Sequence, residues 1–276
     1  MPELPEVEIT KEKLKPLIGK TCQSFWSDWP RGLRVTRSVG AIDKDIRGRK
    51  VVALRRKGKV ILFTLSKEKT LAFHQRMSGR FISREKKDAV LDKGKHTRVA
   101  ISFYDGNVLY FVDPRKFGVC WYGNENDVLR DPFIASLGPD ALTVKKAEFV
   151  KLFSARVGKI KHLLLRQNII SGAGNIVADE ALWRAKIHPE CYTENMDART
   201  LGCLHSALAV VLKRSLKSGG TTLRDWGHPD GDSGKFQKKL WVYGRAGLPC
   251  IRCKNKITRI VVSGRGTHVC SNCQPR

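Results

Sequence analysis

The chain has 276 residues, with 52 Lys and Arg against 26 Asp and Glu, and a formal charge of +26 at pH 7. A hydrophobic content of 41% is that of a folded protein rather than a disordered one, and the length allows two domains that each bury a core. No apolar run is long enough to span a membrane and the first residues have neither the basic nor the apolar region of a secretory signal, so a cytoplasmic protein with a polyanionic partner is predicted.

Residue 2 is proline. Proline at this position permits removal of Met1, and the Pro2 nitrogen then becomes a secondary amine. Such an amine is partly neutral near pH 7 and able to act as a nucleophile. Glu3 and Glu6 could donate or accept a proton beside it. The same residues also suit a plain helix start, with acids placed favourably against the dipole, and the residues alone leave both readings open. A short helix is predicted over Pro5–Leu17, with Val7, Leu14 and Leu17 close to one face. Between Asp45 and Glu68 lie eight basic residues and no acid, and ten more basic residues follow Asp232 without an acid. Two such stretches read as two faces of a groove rather than a uniformly solvated surface, and charge alone leaves DNA, RNA and an anionic membrane surface open as the partner.

The runs Val51–Leu54, Val60–Leu65, Leu71–His74, Arg98–Phe103 and Val108–Val112 are rich in strand formers. Asp105-Gly106 supplies a hairpin signal between the last two, and together they predict a β-sandwich in the first half. Arg130–Thr143, with Pro132, Gly138 and Pro139, reads as a linker. Beyond it the period becomes helical. Asn175–Ala185 is a predicted helix entered through Ser171-Gly172-Ala173-Gly174, whose backbone N–H groups can point at an anion, and Asn175 could equally cap it. Leu201, Leu204, Leu208, Val211, Leu212 and Leu216 mark the buried face of another helix, which Gly219-Gly220 ends. Gly231-Asp232-Ser233-Gly234 fits a mobile loop.

Cys250-x2-Cys253 and Cys270-x2-Cys273 are two knuckles with the spacing of a tetrahedral zinc site, and disulfides are disfavoured without an export signal. All four positions would be filled, so the metal is structural. Between the knuckles, Ile257–Val262 and Ser263-Gly264-Arg265-Gly266-Thr267 read as a β-hairpin with Arg265 at its tip. Cys22, Cys120, Cys191 and Cys203 read as small buried hydrophobes.

Several of these segments, taken in order, resemble the formamidopyrimidine-DNA glycosylase family. They are Met1-Pro2-Glu3-Leu4-Pro5-Glu6-Val7-Glu8, Arg55-Arg56-Lys57-Gly58-Lys59, His74-x2-Met77-Ser78-Gly79, Asp113-Pro114-Arg115-Lys116-Phe117-Gly118, Gly174-Asn175-Ile176, Gly219-Gly220-Thr221-Thr222-Leu223, Val242-Tyr243-Gly244-Arg245 and the four cysteines. The likeness runs from residue 2 to residue 273. It implies an α+β fold of two domains: an N-terminal β-sandwich with flanking helices over 2–132, a linker over 133–145, a helix–two-turns–helix bundle over 146–230 and a zinc-finger β-hairpin over 236–276. It also implies a bacterial, monomeric enzyme of base-excision repair, cytoplasmic, with one structural Zn2+. Its partner would be double-stranded DNA carrying oxidised purines or abasic sites, with no membrane involved.

The resemblance also implies roles. Pro2 is the nucleophile, forming an iminium with the everted sugar before β- and δ-elimination cut the strand. Glu3 is the acid/base, Lys59 holds a phosphate and assists, Arg265 completes the catalytic set, and Glu6 supports the site. Met77, Arg115 and Phe117 fill the void left by the flipped base, with Arg115 reading the orphaned partner. His96, Lys161, Asn175, Tyr243, Arg115 and Arg265 contact DNA. The sequence departs from the family at Gln75-Arg76, where Leu-Gly is common, at Lys116, where a second arginine is frequent, and at Val177, where tyrosine is common.

Overall fold

The computed structural model describes residues 2–36, 38–85, 94–223 and 226–276. They form two compact units, Met1–Ala135 with Gly219–Gly234, and Ser136–Ser218 with Lys235–Arg276. The return of 219–234 to the first unit is a feature that the division at 146–230 does not mark out.

The first unit is a β-sandwich. Helix α1 (Leu4–Lys13) starts on Glu3, whose backbone N–H donates to the Glu6 carboxyl at 2.8 Å, and Pro5 occupies its first turn. It stops short of the expected Leu17 because Pro16 lacks the N–H a helix needs, and Lys15–Leu17 instead make a tighter turn. The face predicted for it is correct: Val7, Leu14 and Leu17 are all buried in the sandwich core. Strands β1 (Cys22–Ser27), β7 (Thr97–Phe103), β8 (Val108–Val112) and β6 (Arg80–Arg84) form one sheet in the order β1-β7-β8-β6. The second sheet is β2-β9-β5-β4-β3, made by β2 (Leu33–Val35), β9 (Val119–Asn124), β5 (Lys69–His74), β4 (Val60–Leu65) and β3 (Val51–Lys57). Helix α2 (Val39–Ile46) packs on β1 and is capped by Ser38, whose hydroxyl accepts from Ala41 N at 3.3 Å.

Four phenylalanines join the sheets. Phe73 of β5 meets Phe81 of β6 at 5.1 Å, edge to face, and Phe111 of β8 at 5.2 Å. Phe81 and Phe111 are 5.3 Å apart, and Phe63 of β4 closes on Phe73 at 6.1 Å. Apolar burial of this kind, at roughly 25 cal/mol per Å², drives the sandwich together.

The short helices α3 (Glu125–Leu129) and α4 (Pro132–Ala135) follow β9. In the second unit, residues read as a linker are packed. Gly138 N donates to Gln167 O at 2.9 Å, Ala141 N to Ser171 O at 2.9 Å, and Ala141 and Val144 are buried. Helices α5 (Lys146–Ser154), α6 (Ile160–Leu165), α7 (Asn175–Ala185) and α8 (Ala198–Lys217) then form the bundle. Helix α7 has the predicted bounds, and the predicted leucine face of α8 is buried from Leu201 to Leu212. The chain leaves α8 through Gly219 and Gly220 at φ +73° and +76°, as expected of glycines there. Strands β10 (Thr258–Val262) and β11 (Arg265–Val269) make the predicted hairpin, closed by Ser263 and Gly264 at φ +49° and +75°. Cys22 and Cys120 are buried as predicted, but Cys203 is exposed on α8 and Cys191 is partly exposed.

Two glycines illustrate how tightly the sandwich is filled. A Cβ on Gly118 would lie 2.7 Å from the Phe111 ring, whereas one on Gly40 in α2 meets nothing within 4 Å. Gly118→Ala should therefore cost about 1–3 kcal/mol in urea unfolding, from overpacking. Gly40→Ala should add about 0.5–1 kcal/mol, from helix propensity. Equal effects at the two positions would contradict this account of the packing.

Candidate active site and nucleic-acid interface

The N-terminal turn is enclosed in the first unit. Pro2, Glu3 and Glu6 are all buried. One Glu6 oxygen accepts the Glu3 backbone N–H at 2.8 Å, and the other accepts the Thr221 backbone N–H at 2.8 Å. Burial, with the neighbouring Glu3 carboxylate, pushes the Glu6 carboxyl up to about 7, although both N–H donors pull the other way. The segment around Thr221 is held further by Trp226 Nε1 donating to Thr10 Oγ1 at 3.4 Å, by Lys13 against Asp230 at 2.5 Å, and by Ser83 N donating to Pro229 O at 3.0 Å. The Gly231–Gly234 stretch, read as part of a mobile loop, is thus bounded by contacts to α1 and β6.

Lys59 lies in the two-residue turn between β3 and β4, where Lys57 pairs with Val60 and Gly58 takes φ +56°. It is buried. Arg56 ties this turn to α1: its Nη1 donates to Gly58 O at 2.8 Å and its Nε to Glu8 Oε2 at 2.6 Å. Glu8 also accepts from Lys11 at 2.6 Å. Burial works to raise the Glu8 carboxyl, but Lys11 and Arg56 outweigh it and hold it below the ordinary value. The nearby imidazole of His74 is pushed down to about 3 by burial and by the charges of Arg76 and Lys59. It is neutral at pH 7, with Nδ1 accepting the Arg76 backbone N–H at 2.9 Å.

Met77 and Phe117, the expected void-filling pair, are 45% and 48% exposed on two neighbouring loops. That is far from the core position either residue could have taken in a β domain. Asp113, itself buried, locks the loops together. Its carboxylate accepts from Ser78 Oγ at 2.5 Å, Arg115 N at 3.2 Å and Gly118 N at 2.8 Å. Arg115 is exposed and lays its guanidinium over the Phe117 ring at 4.5 Å. His96 is exposed beside them, and its carbonyl accepts from Asp113 N at 2.9 Å. A cavity of about 920 Å³ runs beneath Met77 and Phe117, lined also by Arg31, Arg34, Arg76 and Lys116. Two of the departures from the family fall here: Arg76 and Lys116 take φ +52° and +57°, left-handed positions that glycine occupies at less cost. Arg76 also places its guanidinium 4.7 Å from the Phe133 ring centroid.

In the second unit, α7 has Gly174 as its N-cap and no side-chain cap, so Asn175 does not serve as the cap. The loop before it is shaped by Gln167, which accepts from Gly172 N at 2.9 Å and donates to Ala173 O at 2.8 Å. Gly172 takes φ +100° there. Asn175 reaches across to the hairpin, its Nδ2 donating to Gly266 O at 2.9 Å. Arg265 projects, exposed, at the start of β11. Tyr243 is partly buried, with its ring 4.9 Å from that of His268.

Lys161 requires a correction. It has no exposed surface, and its Nζ lies 2.6 Å from both Asp179 Oδ1 and Thr267 Oγ1. It cannot touch DNA in this arrangement. Two acids absent from the sequence analysis, Asp179 and Glu180, are buried on α7. Glu180 accepts the backbone N–H groups of Trp241, Val242 and Tyr243 at 2.8–2.9 Å and so fixes the backbone of Tyr243. Burial pushes its carboxyl above the ordinary value. The available signal was a pair of acids inside an otherwise apolar helix.

The four knuckle cysteines bring their Sγ atoms within 4.8 Å of one another, with Cys253 and Cys270 at 3.4 Å and Cys250 and Cys273 at 3.9 Å. Tetrahedral Zn–S bonds of about 2.3 Å place sulfurs about 3.8 Å apart, so the site fits one zinc. Thiolates fill every position, and the ion would hold the base of the hairpin without an open site for substrate. Trp183 packs in the same cluster, with Arg252 from the first knuckle 4.1 Å over its ring.

Comparison with known proteins agrees along the whole length. Residues 1–120 match the formamidopyrimidine-DNA glycosylase N-terminal domain, 137–226 the H2TH domain of the same glycosylase, and 247–276 a zinc finger found in FPG and IleRS. The formamidopyrimidine-DNA glycosylase of Deinococcus radiodurans is 39% identical over 291 residues, covering 100% of this chain and 98% of its own. The crystal structure of the MutM (Fpg) protein from Thermus thermophilus is 37% identical, covers 99% of this chain and 98% of its own, and superposes with a TM-score of 0.87. That of Lactococcus lactis Fpg in complex with abasic-site DNA is 32% identical, with a TM-score of 0.89 and coverage of 99% and 100%. No helix among the described residues is long and apolar enough to cross a membrane. The ordered motifs, the two-unit α+β fold and the four-cysteine site all have one explanation: this chain belongs to the formamidopyrimidine-DNA glycosylase family.

Proposed function

We propose that the chain excises oxidised purines, 8-oxoguanine and formamidopyrimidines, from double-stranded DNA and then cuts the abasic strand, acting as a monomer in the bacterial cytoplasm. The observation that carries this is the enclosed Pro2–Glu3–Glu6 turn, with Lys59 held on the neighbouring turn by the Arg56–Glu8 pair. Removal of Met1 would free the Pro2 nitrogen. The nucleotide is flipped out of the stack, and the amine attacks C1′ of its sugar. The C1′–N bond to the base breaks and the base leaves with a proton; the C1′–O4′ bond then breaks, O4′ takes a proton from Glu3 as the sugar ring opens, and an iminium forms between Pro2 and C1′. The iminium acidifies the C2′ proton. Its removal expels the 3′ phosphate, and a second elimination expels the 5′ phosphate. Glu3 acts at the sugar ring as acid and base, and Lys59 holds a phosphate. Met77 and Phe117 fill the gap in the stack, and Arg115 pairs with the orphaned base. His96, Tyr243, Asn175 and Arg265 hold phosphates, and Arg265 also belongs to the catalytic set. The charge opposite to that of the phosphates also makes binding salt-dependent.

The first test is trapping. Borohydride with Met1-free protein and 8-oxoguanine duplex should give one covalent adduct, mapped to Pro2 by mass spectrometry and absent from that position in protein that retains Met1, whose Pro2 nitrogen is an amide. Binding of the lesion duplex without adduct or scission would instead identify a non-catalytic reader.

Glu6 provides a pH signature. Unfolded, it ionises near the ordinary 4.5, and folded near 7, so the native state binds the extra proton between these values. Its contribution to stability is full below about pH 4.5 and is lost as pH rises through about 7. Thermal melts of Glu6→Gln should lose this slope. An unchanged slope would show that Glu6 is not the titrating group.

Chelation supplies the third test. Removing zinc should disorder the hairpin and weaken DNA binding, while near-UV dichroism of the sandwich tryptophans persists. Collapse of both units together would contradict this modularity.

A further inference from the structure

Asp179 lies one turn after Asn175 on α7, on the same helix face. Its side chain and that of Lys161 have no exposed surface, and Oδ1 is 2.6 Å from Lys161 Nζ. Oδ2 accepts the His268 backbone N–H at 2.8 Å and lies 3.3 Å from His268 Nδ1. Lys161 carries the grip along the hairpin. Its Nζ donates to Thr267 Oγ1 at 2.6 Å and approaches Gly266 O at 3.4 Å, the carbonyl that Asn175 Nδ2 also holds. Thr267 Oγ1 in turn donates to Arg265 O at 2.9 Å. Residues 265–268 are thus held by one carboxylate and the ammonium it neutralises.

A buried ion pair is a poor device for stability. Desolvating both charges offsets most of their attraction, and apolar replacements are often neutral or better. It is, however, a strict geometric constraint, because each partner is strongly penalised if the other moves away. The zinc knuckles hold only the base of the hairpin. At about 3.3 Å per residue Arg265 stands some 16 Å from Cys270, so a tilt of about 5° at the base would carry it more than 1 Å. A hydrogen bond to an anion does not tolerate that displacement.

We propose that Asp179 is a positioning residue for the DNA interface: through Lys161 and His268 it fixes the spacing between Arg265 and Asn175, so that both reach phosphates of one bound strand. The proposal rests on the assignment of Arg265 and Asn175 to phosphates made above. It accounts for a lysine that matches a DNA-binding position in the family yet is wholly buried in this chain.

The test is a thermodynamic cycle on the full-length, zinc-loaded protein. Wild type, Asp179→Asn, Arg265→Ala and the double variant are titrated with a duplex containing a tetrahydrofuran abasic-site analogue, at several salt concentrations. Asp179→Asn should weaken binding about tenfold and reduce the slope of log affinity against log salt by about one phosphate contact. In the Arg265→Ala background the same substitution should change affinity by less than about twofold, because the contact it aligns is already gone. One zinc per chain should remain. Additive losses would overturn the role of Asp179 while leaving Arg265 a phosphate ligand. An Arg265→Ala protein with unaltered affinity and slope would instead sink the phosphate assignment. Should Asp179→Asn fail to hold zinc, Thr267→Val removes only the hydroxyl link. Its loss, a few-fold, must vanish in the same background, and persistence there would overturn the proposal.

Discussion

In the proposed reaction the attacking nitrogen is at the end of the chain, held by nothing beyond its own first residues, so that end must be immobilised without being blocked. The Glu6 carboxyl meets the constraint. It gathers the backbone N–H groups of Glu3 and Thr221, one from the turn that carries Pro2 and one from the segment that returns to the first unit. Both donors favour the anion, whereas burial and Glu3 favour the neutral acid, and the balance falls near neutrality.

The edge of the sandwich shows a different use of strain. Asp113 commits its carboxylate to three donors from two loops, which keeps Met77 and Phe117 out in solvent although both are apolar. Arg76 and Lys116 stand in left-handed conformations immediately before them, at a cost of about 1 kcal/mol or more each. The packing of Gly79 and Gly118 on Phe111 over-determines these loops, so the strained positions persist. Of the two departures, only Arg76 adds a cation to the cavity beside Met77 and Phe117, which Arg31, Arg34 and Lys116 also line.

The second unit works mostly through buried charge. Glu180 orders three successive backbone amides at Tyr243, Asp179 and Lys161 order the hairpin, and the four cysteines would hold zinc at its base. Glu180, Asp179 and Lys161 are all buried. The charges that face solvent, such as Arg265, depend on them for position. The +26 excess that dominates the composition is in this sense only the visible part of the electrostatics.

Much was legible in the sequence because it is local. Continuous runs of strand formers specify β4 and β8 to the residue, a glycine-rich entry specifies α7, and two Cys-x2-Cys knuckles specify a metal site, since each rests on neighbours a few positions apart. The ordered motifs named the family. What the tertiary structure decided is which polar side chains face inward. Lys161 reads as a DNA contact from its motif, but only the fold shows Asp179 beside it. Pro16 shortened α1, and Ser38 began a helix, α2, that its few residues did not announce. The excursion of 219–234 onto the first unit depends on hydrogen bonds between residues some two hundred positions apart, such as Thr221 with Glu6. Sequence spacing carries no information about such pairs, because the energy that makes them, burial of a carboxyl or an ammonium with its partner, exists only once the chain has closed around both.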